Sequence, residues 1–130
     1  MNTRARFVAV AVAATALTIP ATAAAGEAAL KYTGCPNGKL KIWGANGAVW
    51  TTADFTECNS AVDGKDLTVK LYRNGSVVAA NANRFRAPII VIGFKQYEAH
   101  AATAVTFDSA STYRACAFIG TTQLTDCADK

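Results

Sequence analysis

The chain of 130 residues holds one histidine, His100. Glu98 lies two positions before it, so a strand through this region places both side chains on one face. A histidine beside a carboxylate is two-thirds of a Ser–His–acid relay. The missing member is a serine on a strained, glycine-flanked elbow, and no serine here has that setting. His100 among alanines is therefore expected to be an ordinary polar residue. The acids Asp54, Glu57, Asp63, Asp66, Glu98 and Asp108 are scattered. Glycoside hydrolysis needs two carboxylates flanking one sugar bond, and no spacing singles out such a pair. Neither a phosphate-cradling glycine loop nor a calcium-loop spacing occurs. The expectation is a protein without catalytic residues or a cofactor.

Four cysteines, Cys35, Cys58, Cys116 and Cys127, could hold a metal or form two disulfides. Structural zinc sites use closely spaced cysteine or histidine pairs. The nearest two cysteines here are eleven positions apart, and a single histidine is available. Two disulfides and no metal are expected, as in a small exported chain.

Two groups of residues could bind rather than react. Arg84-Phe85-Arg86, with Lys95 and Tyr97 beyond an apolar run, could form a basic-aromatic patch for an acidic wall polymer or another anion. The competing assignment puts Arg84 and Arg86 on the solvent face of an edge strand, where charge discourages aggregation, with Phe85 pointing inward. Trp43 and Trp50 could stack on sugar rings if exposed, or brace a hairpin as a cross-strand aromatic pair. Cys35-Pro36-Asn37-Gly38-Lys39 and the stretch from Asn83 to Pro88 could each present a basic residue on a rigid loop. A braced loop of that kind suits a protease inhibitor, because its ordering entropy is already spent.

The elements that must position these residues are strands. Asn46-Gly47 and Asn74-Gly75 are strong hairpin signals, since a type I′ turn needs positive φ at both central positions. A two-residue turn at 74–75 would set Leu71 against Val78 and Val69 against Ala80, with Lys70 on the opposite face. A turn at 46–47 sets Trp43 against Trp50. Followed outward, the same register sets Cys35 against Cys58 unless a bulge intervenes. Gly120-Thr121-Thr122-Gln123 offers a turn between Cys116 and Cys127. The expected bridges are therefore Cys35–Cys58 and Cys116–Cys127. Ile89 to Phe94 is a continuous apolar run that predicts a strand buried on both sides or covered by another sheet. Thr103 to Phe107 alternates, and Tyr113 to Ile119 forms a further strand. Six to eight short strands predict an all-β fold, a small antiparallel β-sandwich or barrel.

The N-terminus has a different composition. Arg4 and Arg6 precede an uncharged run of 13 residues, Phe7 to Ile19, then Pro20 and two A-x-A sites ending at Ala23 and Ala25. A membrane-spanning helix needs about 20 apolar residues, so this pattern predicts a cleaved secretory signal over 1–25. A single secreted β domain, 26–130, remains. No cysteine marks the cleavage point for a lipid, and Asp126 to Lys130 is not hydrophobic, so no membrane anchor is expected after cleavage. The whole chain carries +4. Loss of Arg4 and Arg6 leaves eleven basic residues against nine acidic ones, too mild a surplus to predict a nucleic-acid partner.

The Ala-rich leader resembles those of actinobacterial secreted proteins. Leu67 to Val78 resembles the central hairpin of bacterial immunoglobulin-like β-sandwich domains. Tyr113-Arg114-Ala115-Cys116 is similar to their tyrosine-corner strand, with the tyrosine three residues before the cysteine. The resemblance implies an immunoglobulin-like sandwich and leaves function open. The expected function is an extracellular, non-enzymatic binding domain for a protein or cell-wall polymer, using Trp43, Trp50, Arg84, Phe85 and Arg86. A secreted protease inhibitor is the alternative.

Overall fold

Both Asn-Gly pairs make the turns their chemistry favours. Asn46 and Gly47 have φ of 53° and 74°, and Asn74 and Gly75 have 50° and 86°, so each pair has the two positive φ angles of a type I′ turn. The structure, a computed structural model, describes residues 26–130. The export signal expected over 1–25 lies outside the described residues.

Ten strands run through the described residues: β1 (Gly26–Tyr32), β2 (Cys35–Ala45), β3 (Ala48–Cys58), β4 (Asp66–Arg73), β5 (Ser76–Arg84), β6 (Arg86–Val91), β7 (Phe94–Thr106), β8 (Tyr113–Ile119), β9 (Thr122–Gln123) and β10 (Ala128–Asp129). They form two antiparallel sheets. One has the order β1-β2-β3-β7-β6, and the other β10-β8-β4-β5 with β9 also paired to β8. The only helical turn among the described residues is a 3-10 turn at Ser60–Val62, capped by Asn59, whose side chain accepts from the Ala61 N–H. The all-β sandwich expected from the turn spacing is present. The strand count exceeds the expected six to eight because β1 is Ala-rich and β9 and β10 are two residues each, too weakly patterned to read from sequence.

The core lies between the sheets. Leu40, Ile42, Val49, Ala53 and Phe55 project from the first sheet, and Leu67, Val69, Leu71, Ala115, Ala117 and Ile119 from the second, all 1 % exposed or less. Each large side chain contributes about 1.5–3 kcal/mol on burial. Thr51 is the one polar residue among the buried positions described, and its hydroxyl donates to the Lys41 carbonyl at 2.7 Å. That bond offsets the desolvation of the hydroxyl. Cys35–Cys58 joins β2 to β3 within the first sheet, and Cys116–Cys127 ties β8 to the segment before β10. Both are the expected bridges.

Two expectations need correction. In the β4–β5 hairpin Arg73 faces Ser76 and Tyr72 faces Val77, but a bulge then shifts the register. Leu71 faces Ala79 and Val69 faces Asn81, not Val78 and Ala80. The extra residue, Val78, slides the strand by one beyond the Tyr72–Val77 pair and lies at the surface without a partner in β4.

The apolar run 89–94 is not a buried strand. It is split by a tight turn in which Ile92 and Gly93 have φ of 46° and 79°. Its two halves pair with each other, Val91 to Phe94 and Ile90 to Lys95. β3 stops pairing with β7 at Tyr97, and β6 is the edge of its sheet. Residues 89–96 therefore extend past the sheet as a two-stranded ribbon. Pro88 lies where the β6 register slips, a bulged edge position that tolerates its missing N–H.

Candidate functional site

The outer face of the first sheet collects most of the residues with chemical potential. Three cross-strand rows run over it: Trp43–Trp50–Ala104, Lys41–Thr52–Ala102 and Lys39–Asp54–His100. The third row brings His100 Nδ1 within 2.7 Å of Asp54 Oδ1, while Glu98 Oε2 stands 3.6 Å from Nε2. The hydrogen bond that Asp54 accepts from His100 raises the imidazole pKa above its usual value; burial opposes that rise, and the charges of Asp54 and Glu98 add to it. A relay histidine keeps one ring nitrogen for a hydroxyl. Here both nitrogens face carboxylates. The arrangement favours an imidazolium held between two acids, a charge cluster that joins β3 to β7.

Trp43 and Trp50 stand directly opposite one another, as the turn register requires. Both are on the outer face. Trp50 is 40 % exposed, and its Nε1 donates to the Ala45 carbonyl at 3.2 Å. The indole N–H is thus engaged within the hairpin, and the ring offers its apolar surface. Its neighbours on β7 are small, Ala104 directly opposite and Ala102 in the adjoining row.

Arg84, Phe85 and Arg86 do not form one patch. The chain changes sheets at Phe85: Arg84 ends β5 in one sheet and Arg86 begins β6 in the other. Phe85 is 4 % exposed, its ring centroid 6.1 Å from that of Phe55. It is a core residue, and its place in the expected binding set is corrected accordingly. Arg84 donates to Asp66 Oδ1 at 2.6 Å, and Arg86 is cross-strand from Glu98. Arg84 is thus paired with an acid on the neighbouring strand, whereas Arg86 shares only a register position with Glu98.

The two stretches expected as inhibitor loops are built into sheet. Cys35 to Lys39 is part of β2, between β1 and β3. Asn83 to Pro88 is the sheet crossing, with the Phe85 N–H donating to the Lys65 carbonyl. What projects instead is the β6–β7 ribbon. Ile90 is 67 %, Ile92 91 % and Phe94 74 % exposed.

No family model, curated protein or solved structure matches the chain.

The ribbon's only sequence sign was Gly93, a glycine inside an apolar run that a buried strand would disfavour. The surface also carries open grooves, two of them large. One, of about 640 Å³, is lined by Tyr72, Thr112, Arg114, Gln123 and the Cys116–Cys127 bridge, with Arg114 paired to Asp129 at 2.6 Å along its wall. The other, of about 510 Å³, runs over Lys31, Asn37, Lys39, Lys41 and Asp54. Among the described residues no three histidine, cysteine or acidic side chains converge to hold a metal ion.

Proposed function

We propose that the mature chain is an extracellular, non-enzymatic binding domain that engages its partner through the β6–β7 ribbon. The observation carrying this reading is the exposure of Ile90, Ile92 and Phe94 at the end of a projecting hairpin. Large apolar side chains gathered in the open at one tip are uncommon on a free protein surface and mark interaction sites. The apex also holds a β-branched residue in the left-handed region, where such residues are rarely tolerated. Strain kept at an exposed tip fits a tip retained for contact. Two disulfides fit an oxidising, extracellular compartment.

The test is capture. The oxidised protein and its Ile92→Ser/Phe94→Ser variant are immobilised and challenged with medium, wall and membrane fractions of the source cells. Retention of a component by the first and not the second supports the reading. Equal retention by both would place binding elsewhere.

A second reading rests on a separate observation, the pair of half-buried Trp43 and exposed Trp50 beside two alanines. An aromatic surface with Lys41, Thr52 and Asp54 in the adjoining rows suits a cell-wall glycan, with stacking on the rings and hydrogen bonds alongside. It predicts that Trp50→Ala weakens wall-polymer retention while the ribbon variant does not.

A further inference from the structure

The shape and charge of the ribbon constrain what it can dock into. Ile90 and Phe94 belong to successive cross-strand pairs, Ile90–Lys95 and Val91–Phe94. Successive pairs point to opposite faces of a two-stranded ribbon. With Ile92 at the turn, apolar side chains therefore occupy both faces and the apex. A groove on a protein partner takes up one face of a hairpin and leaves the other in water. A bilayer surrounds an apolar protrusion on every side without shape matching.

Charge follows the same axis. Between Arg86 and Glu98 the sole charged residue is Lys95. It lies two pairs from the turn, about 7 Å down the ribbon at 3.3 Å per residue, and Glu98 lies about 17 Å down. Interfacial elements sink about 5–10 Å below the headgroups. A ribbon inserted to that depth buries Ile92 and Phe94, leaves the Lys95 ammonium level with the phosphates and keeps Glu98 in water. The flexible lysine stem can adjust its head to that level. The ribbon's outer backbone edges are unpaired beyond Tyr97, which excludes deeper entry into hydrocarbon.

We propose that the β6–β7 ribbon inserts its tip into the interface of an anionic lipid bilayer, with Ile92 and Phe94 as the buried wedge and Lys95 as the headgroup contact. The proposal rests on the ribbon being the binding element and names its partner class.

The experiment uses the oxidised protein with vesicles of phosphatidylcholine alone and of phosphatidylcholine mixed with phosphatidylglycerol. Co-sedimentation with the mixed vesicles is expected. Ile92→Ser/Phe94→Ser should weaken it at least thirtyfold, on the order expected from the apolar area withdrawn. Lys95→Ala should weaken it about fivefold, and only on the anionic vesicles. A Phe94→Trp variant gives a readout independent of lost binding: its added emission should be quenched by brominated acyl chains. Trp43 and Trp50 should not be quenched, because Ala104, beside Trp50, is about 33 Å along β7 from Phe94. Protein that stays in the supernatant with both vesicle types overturns the proposal. So does quenching of the native tryptophans without that of the added one. Ribbon-dependent capture of a medium protein, or a ribbon-dependent dimer, in the absence of vesicle binding would overturn the lipid assignment and keep the ribbon as the binding element. Loss of ribbon dependence in every assay would remove both.

Discussion

Asp54 and His100, 46 residues apart, are joined by a 2.7 Å contact across β3 and β7 on the outer face of the first sheet. The pair ties the lone histidine to β3, and Glu98 stands on the other side of the ring at 3.6 Å. It also makes a pH prediction. The His100 pKa is raised in the folded protein. Its contribution to stability is therefore fully present below the unfolded value of about 6.5 and is lost as pH rises through the raised folded value. Both side chains are about half exposed, so the amplitude should be only about 0.5 kcal/mol. An NMR titration of the imidazole should give a midpoint above 6.5. Asp54→Asn should move it down and flatten the stability change above neutrality.

The buried Tyr113 hydroxyl accepts from the Asp108 N–H at 2.7 Å and from Arg73 Nε at 3.2 Å, and lies 3.4 Å from the Thr106 carbonyl. It fastens β8 to the end of β7 and the loop that follows it. Tyr113→Phe keeps the ring but strands a part-buried N–H. The expected loss is about 1–2 kcal/mol in denaturant unfolding.

The two bridges close loops of 23 and 11 residues. On the loop-entropy model each stabilises by about 3 kcal/mol. Replacing either cysteine pair by alanine should lower the unfolding midpoint by similar amounts, and full reduction should cost more than either replacement.

How much of this was legible depended on local register. The Asn46-Gly47 turn carries an unbroken count from Ala45–Ala48 to Asn37–Thr56, so the Cys35–Cys58 bridge followed from arithmetic. The Asn74-Gly75 turn carried the count for only two pairs, because alternation does not encode the bulge that admits Val78. The run 89–94 misleads for a different reason. A buried strand and an exposed apolar tip share one composition, and a single glycine is all that separates them. The Asp54–His100 pair is invisible in sequence because β4, β5 and β6 separate β3 from β7 along the chain, so no turn carries a register from one to the other.

Ile92 ties stability to the proposed role. A β-branched residue at φ 46° carries strain that glycine does not. Ile92→Gly should therefore stabilise the fold by about 1 kcal/mol in thermal or denaturant unfolding. The same change removes the apolar apex and should weaken ribbon-dependent binding. A more stable protein that binds less well is the expected outcome.

The central claim is that the ribbon is the contact surface. The most direct test is amide hydrogen exchange, comparing the oxidised protein alone with the protein bound to its captured surface fraction. The account predicts slowed exchange at residues 90–95, with the rest of the sandwich unchanged. Slowed exchange confined to Trp43 through Thr52, with 90–95 unaffected, would contradict it and assign binding to the outer face of the first sheet.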